Sequence, residues 1–155
     1  MTNAKPRPIL LAACLLAPLL AQAGERQLDV QGLDASRVAG ATLMVAAYRA
    51  TDPWLGKPSW AQRFALAELK IERHADGDRV SLTLSGLPDA LLSQPLALTV
   101  VQDANANGRL DRNAFGMPTE PYGFSNDATG SFGPPSFEAA RFEWAAGQVV
   151  RLKLN

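Results

Sequence analysis

Period-two alternation of apolar and polar side chains runs through most of this chain and predicts β-strands. Arg79 to Ser85 is the clearest case: Val80, Leu82 and Leu84 fall on one face, and Ser81, Thr83 and Ser85 on the other. Gln148 to Leu154 repeats the pattern, with Val150, Leu152 and Leu154 inward and Arg151 and Lys153 outward. Leu96 to Val101 groups Leu96, Leu98 and Val100, and Gln27 to Gln31 alternates more weakly through Leu28 and Val30. Thr42 to Arg49 is apolar on both faces, which suits a strand buried in the middle of a sheet.

Ser59 to Arg73 supports two readings. Ser59 and Gln62 fit a helix capping box, and Trp60, Phe64, Ala67 and Ile71 recur near helical spacing. Ala67, Leu69 and Ile71 also alternate with Glu68, Lys70 and Glu72, and Asp76-Gly77 then reads as a hairpin turn. The expectation is a strand from about Ala65 to Arg73. Strands at this spacing, with little helix, predict an all-β, two-sheet sandwich of about seven strands.

Residues 103–136 break the pattern. These 34 residues hold five glycines and four prolines and show no strand or helix period. A loop of that length in a compact domain is functional or disordered. Phe115, Tyr122, Phe124 and Phe132 favour order, because free aromatic surface is costly in water. The loop should therefore fold back on the sandwich, with Pro134-Pro135 either holding a cis peptide or stiffening its exit.

The first 23 residues have a different design. Lys5 and Arg7 precede an apolar run from Ile9 to Leu20, and Ala21-Gln22-Ala23 follows. This order predicts a signal peptide over 1–23, cut after Ala23, and a single domain over 24–155. The apolar run is too short for a comfortable membrane anchor. Leu11-Ala12-Ala13-Cys14 also resembles a lipobox, which would leave a lipid on Cys14. The prediction is a periplasmic or secreted protein, with the lipoprotein as second reading. Cys14 is the only cysteine, so the domain needs no disulfide in an oxidising compartment. The leader takes two of the 15 basic residues and none of the 15 acidic ones, leaving −2 on the domain. That balance argues against a nucleic-acid partner.

Candidate chemistry sits at the start of the loop. Asp103, Asn105, Asn107 and Asp111 place oxygen side chains at positions 1, 3, 5 and 9, with Gly108 at 6. This is the spacing of an EF-hand loop, in which alternate residues of a tight bend turn oxygens toward one calcium ion. The Arg109 carbonyl would add another oxygen. Position 12 is Ala114, where a bidentate glutamate belongs, so a distant carboxylate, Glu120 or Asp127, would have to complete the site. Two charged ligands in four predict weak binding, roughly 0.1–1 mM. The same residues also make Asx turns without any metal, and both readings stay open. His74, the only histidine, reads as a solvated turn residue. Trp54 and Trp60 form either packing posts or a sugar-stacking loop, and Trp144 near Phe142 reads as core.

The ordered string of loop residues is similar to one bacterial family. Its parts are Asp103-x-Asn105-x-Asn107-Gly108-x-Leu110-Asp111, Phe115-Gly116-x-Pro118-x-Glu120-x-Tyr122-Gly123-Phe124-Ser125-Asn126, and Phe132-Gly133-x-Pro135-Ser136-Phe137-x-x-Ala140. Together they resemble domain-of-unknown-function family 2141, DUF2141. The likeness implies export and an immunoglobulin-like or transthyretin-like sandwich; no activity comes with it. Members often carry histidine where this chain has Gln102, and a short Leu-Pro-x-Gly link where it has the longer Asp89 to Gln94.

The leading expectation is a non-enzymatic exported module whose calcium-ordered loop presents Tyr122, Phe124 and Asn126 to a protein or glycan. A carbohydrate-binding module using Trp54, Trp60 or the loop aromatics is the second. A hydrolase using Asp103, Asp111 or Glu120 as acid and base is the third.

Overall fold

Seven strands form among the residues described by the computed structural model, 24–75 and 77–155. The expected signal peptide, with Cys14 and the cut after Ala23, lies outside them, as does Asp76. The strands are β1 (Arg26–Leu33), β2 (Thr42–Arg49), β3 (Trp60–Ala65), β4 (Asp78–Leu84), β5 (Leu96–Asp103), β6 (Tyr122–Phe124) and β7 (Val149–Lys153). They build two sheets, β4-β1-β7 and β3-β2-β5-β6. β1 runs antiparallel to β4 and parallel to β7, while every pair in the second sheet is antiparallel. This is the all-β, two-sheet sandwich that the alternation predicts.

The predicted inward faces make the core. Val80, Leu82, Leu84, Val150, Leu152 and Leu154 are each 8% exposed or less, and Leu96, Leu98 and Val100 are fully buried. Each buried aliphatic side chain contributes about 1.5–3 kcal/mol relative to exposure, which settles which face turns inward. β2 lies between β3 and β5, as its apolar faces suggested. Leu43, Val45 and Ala47 enter the core; Met44, Ala46 and Tyr48 lie on the opposite face.

Two expectations need correction. The strand placed at about Ala65 to Arg73 is instead β3, ending at Ala65. Leu66 turns into the core, its N–H donating to Ala41 O at 3.0 Å, and Leu66–Glu68 forms a 3-10 turn. Leu69 and Ile71 then pack on the core as the chain crosses toward the other sheet, so their alternation marks a packed crossover. Among the described residues there, only Glu72 pairs, as a single bridge to Arg79. The loop is also not strandless. β6 pairs with β5, Tyr122 opposite Val101 and Phe124 opposite Thr99.

β6 joins the two sheets at one edge. Asn155 N donates to Tyr122 O at 2.9 Å, and Lys153 N to Asp127 Oδ1 at 2.8 Å. The backbones are close enough that a Cβ at Gly123 would sit 2.3 Å from Lys153 O.

Candidate functional site

The loop is held by its own side chains. Asp103 is fully buried at the end of β5. Its Oδ1 accepts from Asn107 N at 3.1 Å and its Oδ2 from Gly108 N at 2.7 Å. Asn105 Oδ1 also accepts from Asn107 N, and Asn107 Oδ1 from Arg109 N, at 3.1 and 3.0 Å. These are stacked Asx turns. Gly108 makes the bend with φ +85°, and a Cβ there would lie 2.6 Å from Arg63 Nη2.

Asp111 gathers what the asparagines have left. Asn105 Nδ2 donates to it at 2.8 Å, Asn107 Nδ2 at 2.9 Å, and Arg109 Nε at 3.3 Å. The Asn107 amide, then the Asn105 amide, hold its carboxyl below the usual carboxylate range, and Arg109 adds to this. Glu120, 4% exposed, accepts from Ala104 N at 2.8 Å and Asp111 N at 2.9 Å. Its two oxygens close the loop's mouth.

The expected metal ligands are therefore neighbours, arranged for one another. Among the described residues, no group of three or more His, Cys, Asp or Glu is placed to hold a metal ion. Asn105 and Asn107 turn amide nitrogens, not oxygens, toward Asp111. A calcium ion at that point would require both amides to rotate. Asp127, the alternative to Glu120 as third carboxylate, is tied to Lys153 N at the sheet junction.

The expected binding surface divides. Tyr122 is half-buried, but Phe124 is only 6% exposed and offers little area to a partner. Phe124 packs edge-on with Tyr122, centroids 5.8 Å apart, and tilted on Trp54 at 6.0 Å. Asn126 is exposed, yet its amide donates to Ala139 O and Arg141 O at 3.3 and 2.9 Å. It latches the loop to the short helix at Phe137–Ala140. The neighbouring Ser125 is fully buried, donating to Ala140 O and accepting from Leu98 N at 2.9 Å. Trp54 is a packing post: Tyr48, Phe124 and Phe137 surround it, and its indole N–H donates to Pro135 O at 2.8 Å. Trp60 packs on the core, and Trp144 is buried in it.

Between the loop and the outer face of the four-stranded sheet lies a cleft of about 1070 Å³. Register places Arg63, Met44, Val101 and Tyr122 in one row across its floor, and Ala61, Ala46, Thr99 and Phe124 in the next. Residues 108–118 wall one side and 130–134 another. Met44, Arg63 and Val101 were not singled out by sequence reasoning, although the second apolar face of β2 was the available signal.

Among solved structures, a fimbrial assembly protein from Parabacteroides distasonis is similar at 14% identity and a TM-score of 0.46. The alignment covers 83% of this chain and 52% of that one, so this chain spans about half its length. No curated protein matches. The family model for DUF2141, described as an uncharacterized protein conserved in bacteria, matches residues 33–151, and the chain belongs to that family.

Proposed function

We propose that this protein is an exported, non-enzymatic binding module whose 103–136 loop walls a ligand cleft on the outer face of the four-stranded sheet. The carrying observation is the cleft itself. Its volume, about 1070 Å³, is just above the usual range of ligand sites, and its floor is mainly apolar with Arg63, Thr99 and Tyr122 as polar groups, which is the usual make-up of such a site. The hydrogen bonds of Asp103, Glu120 and Ser125 hold the wall in place, so binding need not order it first. Of the expected surface residues, Tyr122 and Phe124 lie on this cleft's floor, Tyr122 being the more exposed of the two.

Calcium enters the proposal as reinforcement of a loop already closed by its own hydrogen bonds. The ion would compete with the Asn105 and Asn107 amides for Asp111. The carboxylates are better suited to structure than to acid–base work. A general acid needs a raised pKa, whereas Asp111 is shifted down. Sugar stacking on Trp54 is disfavoured by the three aromatic rings that surround it.

The test is a ligand screen by nuclear magnetic resonance on the purified protein, using glycans, peptides and small amphiphiles. The proposal expects at least one class to shift the amides of Met44, Val101 and Tyr122 together. Ligands that shift only residues outside the cleft, or none at all, would overturn it.

A further inference from the structure

The charged residues that line the cleft are three arginines, Arg63, Arg109 and Arg112, with no carboxylate among them. Arg109 and Arg112 lie on the loop segment that begins at Gly108, and Arg63 reaches that segment from β3 at one end of the cleft. Arg63 occupies the row of Met44, Val101 and Tyr122, and its guanidinium lies over Gly108, beside the segment that carries the other two. Arg109 is balanced by Asp111 at 3.3 Å. Arg112 donates one N–H to Gly116 O at 2.8 Å. Neither Arg63 nor Arg112 is ion-paired with any described residue.

The other end is lined by Tyr48, Leu55, Pro58, Phe132 and Pro134 and carries no charge. From Met44 to Tyr48 the floor runs four residues, roughly 13 Å of strand. Around the mouth, Phe115 is 91% exposed, Met117 61% and Phe132 107%. Free apolar side chains grouped at the rim of one cleft mark an interaction site.

We infer that this cleft takes a single-chain amphipathic anion, an acyl carboxylate. The headgroup lies on Arg63 and Arg112, and the chain runs over Ala46 and Ala61 toward Leu55 and Pro134. The inference rests on the binding-module reading above. Arginine's planar fork matches a carboxylate in bidentate fashion, and the uncharged end suits hydrocarbon. A peptide fits less well. The alanines and Val101 of the floor carry no polar side-chain atoms to pair with its backbone, and unpaired buried amides are costly. A membrane surface fits less well too, because the site is concave.

The test is calorimetric titration of the purified protein with dodecanoate and decanoate below their micelle concentrations, with dodecyltrimethylammonium and decanol as controls. One dodecanoate per chain is expected, bound about tenfold more tightly than decanoate, since each buried methylene is worth ~0.8 kcal/mol. The ammonium compound should bind about tenfold more weakly than dodecanoate or worse. Arg63→Gln should weaken dodecanoate about tenfold and leave decanol unchanged. Ala61→Trp fills the cleft from an exposed floor position and should abolish binding of both. Equal affinity for anion and cation would overturn the inference, as would an indifferent Arg63→Gln or undiminished binding to Ala61→Trp. Phosphatidylglycerol vesicles are titrated alongside, and a response only to them would overturn the inference and assign the arginines to a membrane surface instead. If a glycan or peptide shifts the cleft amides and dodecanoate does not, the ligand class falls and the binding module stands. If nothing shifts them, both fall.

Discussion

Glu120 Oε2 accepts the backbone N–H of Asp111 at 2.9 Å, while its other oxygen accepts that of Ala104 at 2.8 Å. One buried carboxylate thus ties the two ends of the loop bend. Glu120→Ala leaves both donors unpaired, at roughly 1–3 kcal/mol for each group that stays buried. Glu120→Gln retains one acceptor and should lose less. Urea unfolding of both variants checks the order, and hydrogen exchange at Ala104 and Asp111 should quicken more in the alanine variant.

Gln102 closes the β1–β2 connection. It is fully buried, accepts from Asp34 N at 2.8 Å, and donates to Asp34 O and Arg37 O at 2.8 and 3.1 Å. Gln102→Leu strands these groups and should cost roughly 1–3 kcal/mol. Gln102→His keeps one donor and one acceptor in the neutral ring, and should be the milder change. If Gln102→Leu unfolds at the same urea concentration as the unaltered protein, the clamp does not stabilise the fold.

Acid should loosen the loop. The Asn107 and Asn105 amides favour the ionised Asp111, holding its pKa below 3.8 in the folded state. A depressed folded pKa contributes stability above the unfolded value, and that contribution is lost as pH falls through the folded one. The melting temperature, followed from about pH 5 to about pH 2, should therefore fall within this window. Asp111→Asn should show a shallower decline, because its side chain does not titrate.

Calcium should raise the melting temperature above that in chelator, and magnesium should not. A ligand specific to the folded state adds about 2.7 kcal/mol at a hundredfold excess over Kd, which is several degrees for a domain of this size. Asp111→Asn should shrink the increment. A melting temperature unmoved up to about 10 mM calcium, above the weak-module range, leaves the loop to Asx-turn chemistry alone.

Much of the fold is legible in the sequence because core strands bury one face. The alternation at Val80, Leu82 and Leu84 could not be satisfied any other way. β6 was illegible for the opposite reason. Three residues, Tyr122-Gly123-Phe124, are too few to show a period, and only tertiary pairing with β5 reveals them. The crossover after Ala65 misled because Leu69 and Ile71 pack on the core without joining a ladder. In the loop, spacing identified the residues that meet, but oxygens at positions 1, 3, 5 and 9 suit an Asx stack as well as an ion. The direction of the Asn105 and Asn107 amides, which face Asp111 with nitrogen, is supplied only by three-dimensional structure. The cleft was hidden because it joins β2 and β3 to a loop about fifty residues downstream of them.

Gly108 lies directly beneath the Arg63 guanidinium, which places a limit on how this protein can diversify. Any larger residue at 108 would both oppose the positive φ of the bend and push Arg63 out of its place in the cleft. On the proposed reading of the cleft, loop shape and ligand preference are therefore linked at this position. A lineage acquiring a new ligand could change Arg63 while keeping Gly108, whereas a change at Gly108 would disturb the bend and the basic end of the cleft together.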